Sequence, residues 1–343
     1  MKVWEKPVGY INCYAINKYH WVICSMDTLE YLRNKAERLS VLLPKSGILA
    51  VLRHIEIAEQ HFHRGIEKGE SDLFSDVIYR ANQAFEGSLR ESYSILAGKD
   101  PKKERAFDLE TYFADNKIFQ DRVTDLFTNY RKKWRNPSTH DHLATFSESE
   151  AFLSLLSVTS FAGVLIDQMI EHLTFEYEKT RLAKHSNKIK KALDKHATEP
   201  FVDRLTVALQ NFVSQPTLNN VQSEVELAAN LKAYLSSILS SIETIQEPLI
   251  SDSQGEMRPD FAVTEGKSKA VIELKRFRVW NDKMVQAADD QVRRYMNAMD
   301  AEVGIVIFVP SISSNDKTKT KGFTMATPLD DDRYVVIIRG TLK

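Results

Sequence analysis

Cysteine is scarce in this chain of 343 residues, which contains two, Cys13 and Cys24. Two thiols are too few for a disulfide scaffold, and no signal-peptide pattern precedes them, so we expect a reducing cytoplasm. A large charge of one sign is also missing, since the formal net charge is −1. Without overall positive charge, any binding to nucleic acid must use local basic patches.

Long apolar runs are missing as well. The longest apolar segment, 151–166, is interrupted by serine, threonine and glycine and is followed by Asp167. It is too short and too polar to span a bilayer, so we expect no membrane partner. The hydrophobic content of 43% and charged content of 27% are typical of a soluble globular protein, and the length predicts two domains.

The chain divides into four segments by texture. Residues 1–25 are rich in aromatic side chains and form either a small strand-rich cap or an extension with little structure. Residues 26–184 show helical periodicity, with long helices and short connections that predict an antiparallel bundle. Apolar content drops in the lysine-rich segment 185–204, which predicts an exposed, partly helical linker, and residues 205–343 mix helix and strand patterns.

The periodic pattern gives bounds for four predicted helices. Apolar residues recur every three or four positions over Ile48–Ile66, Phe74–Leu96 and Phe119–Trp134. Ser147 and Glu150 have the spacing of a capping box, which predicts a fourth helix that ends at about Tyr177.

The most informative stretch reads as two short strands, 258–263 and 270–275, joined by turn residues around Gly266. A hairpin folded about this glycine places Asp260 opposite either Ile272 or Glu273.

Strand alternation then separates the side chains of the second strand. Glu273 and Lys275 share one face, while Ala270, Ile272 and Leu274 point to the other. Two carboxylates, Asp260 and Glu273, and one ammonium therefore meet at the edge of an apolar sheet. This set suits a Mg²⁺ or Mn²⁺ ion that promotes phosphodiester hydrolysis, because carboxylates hold the ion and a nearby lysine orients water and offsets negative charge.

These residues also carry a family resemblance. Pro259-Asp260 followed by Glu273-Leu274-Lys275 resembles the PD-(D/E)XK signature of the restriction-endonuclease-like nucleases. The resemblance implies an αβββαβ core with a mixed sheet, and the predicted order of helices and strands matches it. It also implies an acidic residue on the first helix of that core.

Two helices supply further candidates. On the helix predicted for 220–239, Glu224 falls on the apolar stripe and Glu226 on the opposite side. We therefore assign Glu224 as the first-helix acid and as a metal ligand beside Asp260 and Glu273, and keep Glu226 in reserve. Gln291 and Tyr295 are four residues apart and share a face of the helix predicted for 284–299. Their spacing resembles the QxxxY element of RecB-like members of the same superfamily.

A second motif lies between the third and fourth helices of the bundle. Arg135-Asn136-Pro137-Ser138-Thr139-His140 resembles the Rx4–6H motif of the HEPN superfamily, and His142 satisfies a looser spacing. The resemblance implies a metal-independent RNase site at Arg135, Asn136 and His140, with histidine moving protons and arginine holding the phosphate. It also implies a homodimer through the bundle.

Together these features predict a HEPN-like helical bundle followed by a restriction-endonuclease-like domain. The predicted function is that of an endonuclease that cleaves nucleic acid with a divalent ion, DNA being favoured over RNA. The pairing of the two domain types implies a role in prokaryotic defence against phage and plasmids. Two alternatives stay open: a HEPN-type RNase whose C-terminal domain only binds, and a non-catalytic, dimeric nucleic-acid-binding protein.

Overall fold

The fold is taken from a computed structural model, which describes residues 12–14, 23–25, 28–119, 121–136, 145–239, 241–311, 322–329 and 333–341. The helices are α1 (Thr28–Leu42), α2 (Ile48–Lys68), α3 (Asp72–Leu96), α4 (Ala106–Asp115), α5 (Asp121–Tyr130), α6 (Glu148–Leu193), α7 (Phe201–Val213), α8 (Glu224–Ile238) and α9 (Asp282–Met299). The strands are β1 (Asn12–Tyr14), β2 (Ile23–Ser25), β3 (Glu243–Gln246), β4 (Ile250–Asp252), β5 (Gly255–Met257), β6 (Phe261–Glu265), β7 (Ser268–Phe277), β8 (Val303–Pro310), β9 (Phe323–Pro328) and β10 (Tyr334–Arg339). The chain forms two compact units, Met1–Leu173 and Thr174–Lys343.

The first unit is helical and the second contains a mixed sheet, which confirms the expected combination of an α part and an α/β part. In the helical unit, the ring of Phe85 on α3 is central to the core. Its centroid lies 4.7 Å from that of Tyr130, 5.0 Å from that of Phe161 and 5.6 Å from that of Phe127. These contacts join α3, α5 and α6, so aromatic packing holds the unit together.

Helix α6 begins where the capping box predicts. The Ser147 amide donates to Glu150 Oε2 at 2.8 Å, and the Glu150 amide donates to Ser147 Oγ at 3.3 Å. The predicted end near Tyr177 is wrong, because the helix continues to Leu193. Lysine is a good helix former, and Leu182 and Ile189 are buried in the core of the second unit, so this lysine-rich segment stays helical.

The segment predicted as a basic linker, 185–204, contains the end of α6, a 3₁₀ turn at Asp194–His196 and the first residues of α7. The unit boundary after Leu173 lies inside α6.

Among the residues that the structure describes, one helix is long and apolar enough to cross a membrane: an 18-residue window within 148–196 has a mean hydropathy of 1.6. Of that window, 44% is buried within the structure, and Val158, Phe161 and Leu165 are among the buried residues. The core helix of a globular unit meets the same two criteria, which makes this weak evidence for a membrane span.

The N-terminal extension contains a short antiparallel pair, β1 with β2, in which Cys13 stands opposite Cys24. Within the helical unit, the third predicted helix continues from α5 into a π-helix at Arg131–Arg135. The π-helix lies directly before the remainder of the HEPN-like motif.

The sheet of the second unit has six strands in the order β3-β6-β7-β8-β10-β9. Strands β7, β8 and β10 run parallel, and the remaining pairs are antiparallel. One face packs against α7 and α8, and the other face packs against α9. The sheet is therefore covered by helices on both sides, with a separate apolar core on each.

The hairpin of β6 and β7 forms about Gly266 as predicted, but its strands span Phe261–Glu265 and Ser268–Phe277 instead of 258–263 and 270–275. Its turn contains Gly266 with φ of +62°, a left-handed conformation that glycine adopts without strain. In the register, Phe261 pairs with Ile272 and Val263 with Ala270.

Candidate functional site

The β6–β7 hairpin brings two carboxylates together. Asp260 precedes β6 by one residue, and the pairing of Phe261 with Ile272 extends to set Asp260 opposite Glu273. The backbone N–H of Leu274 donates to Asp260 Oδ2 at 2.6 Å. Of the two partners considered for Asp260, the register therefore selects Glu273, and directly opposed residues of antiparallel strands share a face.

Lysine joins the pair on the same face of β7. Lys275 Nζ donates to Glu273 Oε1 at 2.6 Å, and Glu273 is 4% exposed. Its second oxygen, Oε2, is buried and has no hydrogen-bond partner among the residues that the structure describes. A buried carboxylate oxygen without a partner is costly, so this oxygen is suited to receive a cation or a water.

The electrostatics agree with this geometry. Burial, and next the negative charge of Glu273, raises the pKa of Asp260 to about 7, although the Leu274 N–H and Lys275 oppose the change. Burial alone lowers the pKa of Lys275, but the hydrogen bond to Glu273 and the surrounding carboxylates raise it overall. Asp260 therefore holds its proton more tightly than an ordinary aspartate, while the lysine stays charged.

The two candidate acids of α8 have different surroundings from those expected. Glu226, not Glu224, is buried, at 1% exposure. Its Oε2 accepts from the Gln222 amide at 3.0 Å, and its own amide donates to Ser223 Oγ at 3.1 Å. The expectation that Glu224 lies on the apolar face and Glu226 on the opposite face is wrong, because Glu226, the third residue of the helix, folds back over the N-cap to accept from the Gln222 N–H that precedes it.

Glu224 is exposed at the start of α8, and its charge acts on the site. It contributes to raising the pKa of Asp260, after burial and Glu273, and it contributes to raising that of Lys275. The carboxylate of Glu224 therefore adds negative potential at the two residues that the hairpin positions.

Helix α9 supplies the predicted Gln291 and Tyr295. Gln291 Nε2 donates to the Tyr295 hydroxyl oxygen at 2.6 Å, and Tyr295 is 6% exposed. Burial, and to a smaller degree the charges of Glu273 and Asp260, raises the pKa of Tyr295. The hydroxyl accordingly stays protonated and available as a donor near the carboxylates.

The donor set suits a divalent ion held by two carboxylates. Within the described parts of the chain, no group of three or more histidine, cysteine, aspartate or glutamate side chains is placed to hold a metal. Mg²⁺ commonly binds through one or two carboxylates and completes its shell with water and phosphate oxygens. Asp260 and Glu273, with the partnerless Glu273 Oε2, fit that requirement.

One residue at this site was not predicted. Arg276 lies on the opposite face of β7 from Lys275, and its Nη2 donates to the carbonyl oxygen of Val221 at 3.0 Å. A signal was present in the sequence, since alternation places Arg276 on the face that α8 covers.

The HEPN-like motif is described in part. Arg135 Nη1 donates to Asn136 Oδ1 at 3.2 Å, and Arg135 Nη2 lies 3.7 Å from Glu86 Oε1. His140, together with the alternative His142, lies outside the described residues. In the adjoining π-helix, Arg131 pairs with the buried Glu110 at 3.3 Å.

Comparison with known proteins yields a family match and a likeness to a solved structure. Residues 238–311, which include the two carboxylates, the lysine, Gln291 and Tyr295, match a family described as a domain of unknown function, DUF8371. A solved half-complex from a tetradecameric assembly of Thermococcus gammatolerans McrB AAA+ hexamers with bound McrC is similar at 17% identity, with a TM-score of 0.24. That match covers 33% of this chain and 26% of the other chain. No curated protein matches the chain.

Proposed function

We propose that the second unit is a divalent-metal-dependent endonuclease that hydrolyses phosphodiester bonds of nucleic acid. The observation that carries this proposal is the meeting of Asp260, Glu273 and Lys275 on one face of the hairpin, with Glu273 Oε2 buried and without a partner among the described residues. The order α8, β3, β6, β7, α9, β8, with the separate β4–β5 pair inserted after β3, and its resemblance to the PD-(D/E)XK nucleases also support it.

Each side chain has a defined task in this proposal. Asp260 and Glu273 would hold Mg²⁺ or Mn²⁺, which stabilises charge on phosphoryl oxygens and generates hydroxide near neutral pH. The Leu274 N–H fixes the orientation of the Asp260 carboxylate. Lys275 positions the attacking water and offsets the negative charge that develops. The Tyr295 hydroxyl, which accepts from Gln291, would be oriented to donate a hydrogen bond into the same region.

For the substrate we propose DNA in preference to RNA, and for the setting the cytoplasm of a prokaryote and defence against phage and plasmids. These assignments come from the family resemblance and its usual domain pairing. They are tested separately from the chemistry, by comparing cleavage of duplex DNA, single-stranded DNA and RNA.

The decisive experiment is cleavage by the purified full chain with Mg²⁺, with and without EDTA. We expect EDTA and Lys275→Ala each to abolish cleavage. Lys267→Ala is the matched control, because Lys267 is an exposed lysine in the turn at the other end of β7. Cleavage undiminished in Lys275→Ala, or absent from the wild-type protein on all three substrates, would contradict the proposal.

A second candidate function is a metal-independent RNase at Arg135, Asn136 and His140. The observation that favours it is the π-helix at Arg131–Arg135, because π-helical turns are frequent at functional sites. RNA cleavage that survives EDTA and is lost in His140→Ala would establish it. Sedimentation of the full chain tests the homodimer proposed with it.

A third candidate is a dimeric binding protein without catalysis. Tight binding of nucleic acid, with no cleavage under either metal condition, would favour this function over the other two.

A further inference from the structure

Arg276 connects the strand that bears the candidate site to the segment that leads into α8. Its guanidinium donates through Nη2 to the carbonyl oxygen of Val221 at 3.0 Å, and through Nη1 to that of Gln222. Arg276 Nε is buried and has no hydrogen-bond partner in the described structure. The side chain is therefore committed to these two carbonyls, which immediately precede the N-cap residue Ser223 of α8.

The same segment is held from the helix side by Glu226. The buried Glu226 accepts from the Gln222 amide, so both backbone polar groups of Gln222 bond to charged side chains. Hydrogen bonds to charged groups are stronger than those between neutral groups. Burial lowers the pKa of Arg276, and the charges of Glu226 and Glu224 oppose that change. Two oppositely charged side chains thus fix one turn of backbone.

This arrangement determines where Glu224 stands. Glu224 is the first residue of α8, directly after Ser223, and its charge acts on Asp260, Lys275 and Arg276. An exposed side chain at a helix start has no packing of its own to fix it, so its position depends on how the preceding turn is held.

We propose that Arg276 is a positioning residue that clamps residues 221–222 onto β7 and so holds Glu224 beside Asp260 and Lys275. Glu224 is the first-helix acid that the family resemblance implies, and in this position its negative charge would strengthen the binding of a cation at Asp260 and Glu273. The planar guanidinium suits this task, since its fork reaches two carbonyls at once and a lysine ammonium has no such geometry. The inference rests on the proposed function, because Glu224 has this role only where the site binds a cation.

The test is a double-mutant cycle on the full chain, with Mn²⁺ affinity measured by titration calorimetry. We expect Arg276→Gln and Glu224→Gln each to weaken Mn²⁺ binding by about tenfold, as outer groups of metal sites do. If Arg276 acts through Glu224, the double variant is no weaker than either single variant. Arg276→Lys should fall between the wild type and Arg276→Gln. The exposed Arg278 provides the control, and Arg278→Gln should leave the affinity unchanged.

A second measurement does not depend on the cation. Amide hydrogen exchange of residues 221–227 should be faster in Arg276→Gln and Arg276→Lys than in the wild type, while exchange in β8 is unchanged. Unchanged exchange at 221–227 would contradict the proposal that Arg276 holds residues 221–222. If the double variant loses as much Mn²⁺ affinity as the two single losses multiplied together, Arg276 does not act through Glu224. Failure of the wild-type protein to bind Mn²⁺ would instead refute the proposed function, and the exchange measurement still decides whether Arg276 holds the turn. If Arg276→Gln does not fold, Arg276→Lys replaces it in both measurements.

Discussion

The two faces of the six-stranded sheet differ in what strand β7 presents to them. Toward α7 and α8 it contributes Ala270, Ile272 and Leu274, all buried in an apolar core. Toward α9 it contributes Glu273 and Lys275 between apolar neighbours of the second core. Adjacent residues of this strand thus differ in chemistry, since alternation places Ile272 and Leu274 in one apolar core and Glu273 and Lys275 on the opposite face.

Removal of the charge on the α9 face should give the largest effect. Glu273→Gln takes away a proposed metal ligand and the partner of Lys275, so we expect Mn²⁺ affinity to fall by at least about 100-fold and cleavage by about 1000-fold. Calorimetry and a plasmid-cleavage assay measure the two quantities. Glu256→Gln, at an exposed carboxylate of β5, is the control and should change neither. A Mn²⁺ affinity of Glu273→Gln within twofold of the wild type would contradict the assignment of metal binding to the α9 face.

Truncation on the opposite face should affect stability instead. Ile272 is completely buried, so Ile272→Ala should lower the free energy of unfolding by about 3 kcal/mol in urea denaturation. Mn²⁺ affinity should stay within about threefold of the wild type, because the cavity opens on the side of α7 and α8. Ile245→Ala, at an isoleucine of β3 that is 49% exposed, should cost less than about 0.5 kcal/mol. Equal losses in the two isoleucine variants would contradict the burial argument.

The pH dependence of stability distinguishes the faces further. Burial and the charge of Glu273 raise the pKa of Asp260 from its ordinary 3.8 to about 7. The folded protein then binds more protons than the unfolded chain between about pH 4 and 7, so this residue lowers stability as pH rises through that range. In EDTA at pH 8, Asp260→Asn should melt about 5 °C above the wild type. At pH 4 the two proteins should melt at the same temperature.

Thermal melts followed by circular dichroism from pH 4 to 8 measure this difference, and Asp290→Asn, at an exposed position of α9, is the control. Mg²⁺ at pH 8 should stabilise the wild type and leave Asp260→Asn unaffected. A difference in melting temperature that is constant with pH would refute the attribution to Asp260.

The smallest effect is expected at the edge of the site. Tyr295→Phe removes one hydrogen bond, that from Gln291, which corresponds to about 1 kcal/mol. We expect single-turnover cleavage to slow by about fivefold with no change in Mn²⁺ affinity. A loss above 100-fold would place the hydroxyl in direct contact with the reacting groups, and an unchanged rate would remove Tyr295 from the site.

The parts of the site that follow from short-range rules were predictable. A two-residue turn and strict alternation determine which residues of the hairpin face each other, and a spacing of four places Gln291 beside Tyr295. These relations depend on a few neighbouring backbone angles, so residue order alone contains them.

The parts that depend on contacts distant in sequence were not predictable. The contact of Arg276 with the carbonyl oxygen of Val221 joins segments more than fifty residues apart. Similarly, the length of α6 depends on Leu182 and Ile189 meeting a core built from later residues. Periodicity describes the face of a helix but not the partner that the face meets.

The tight turn at Gly266 has a consequence for how such sites are recognised and lost. One extra residue between β6 and β7 would leave all the letters of the motif unchanged, yet it would shift the pairing by a single step. Asp260 and Glu273 would then no longer share a side of the sheet. A deletion or insertion in this exposed turn is therefore enough to separate the two carboxylates while the sequence signature remains unchanged.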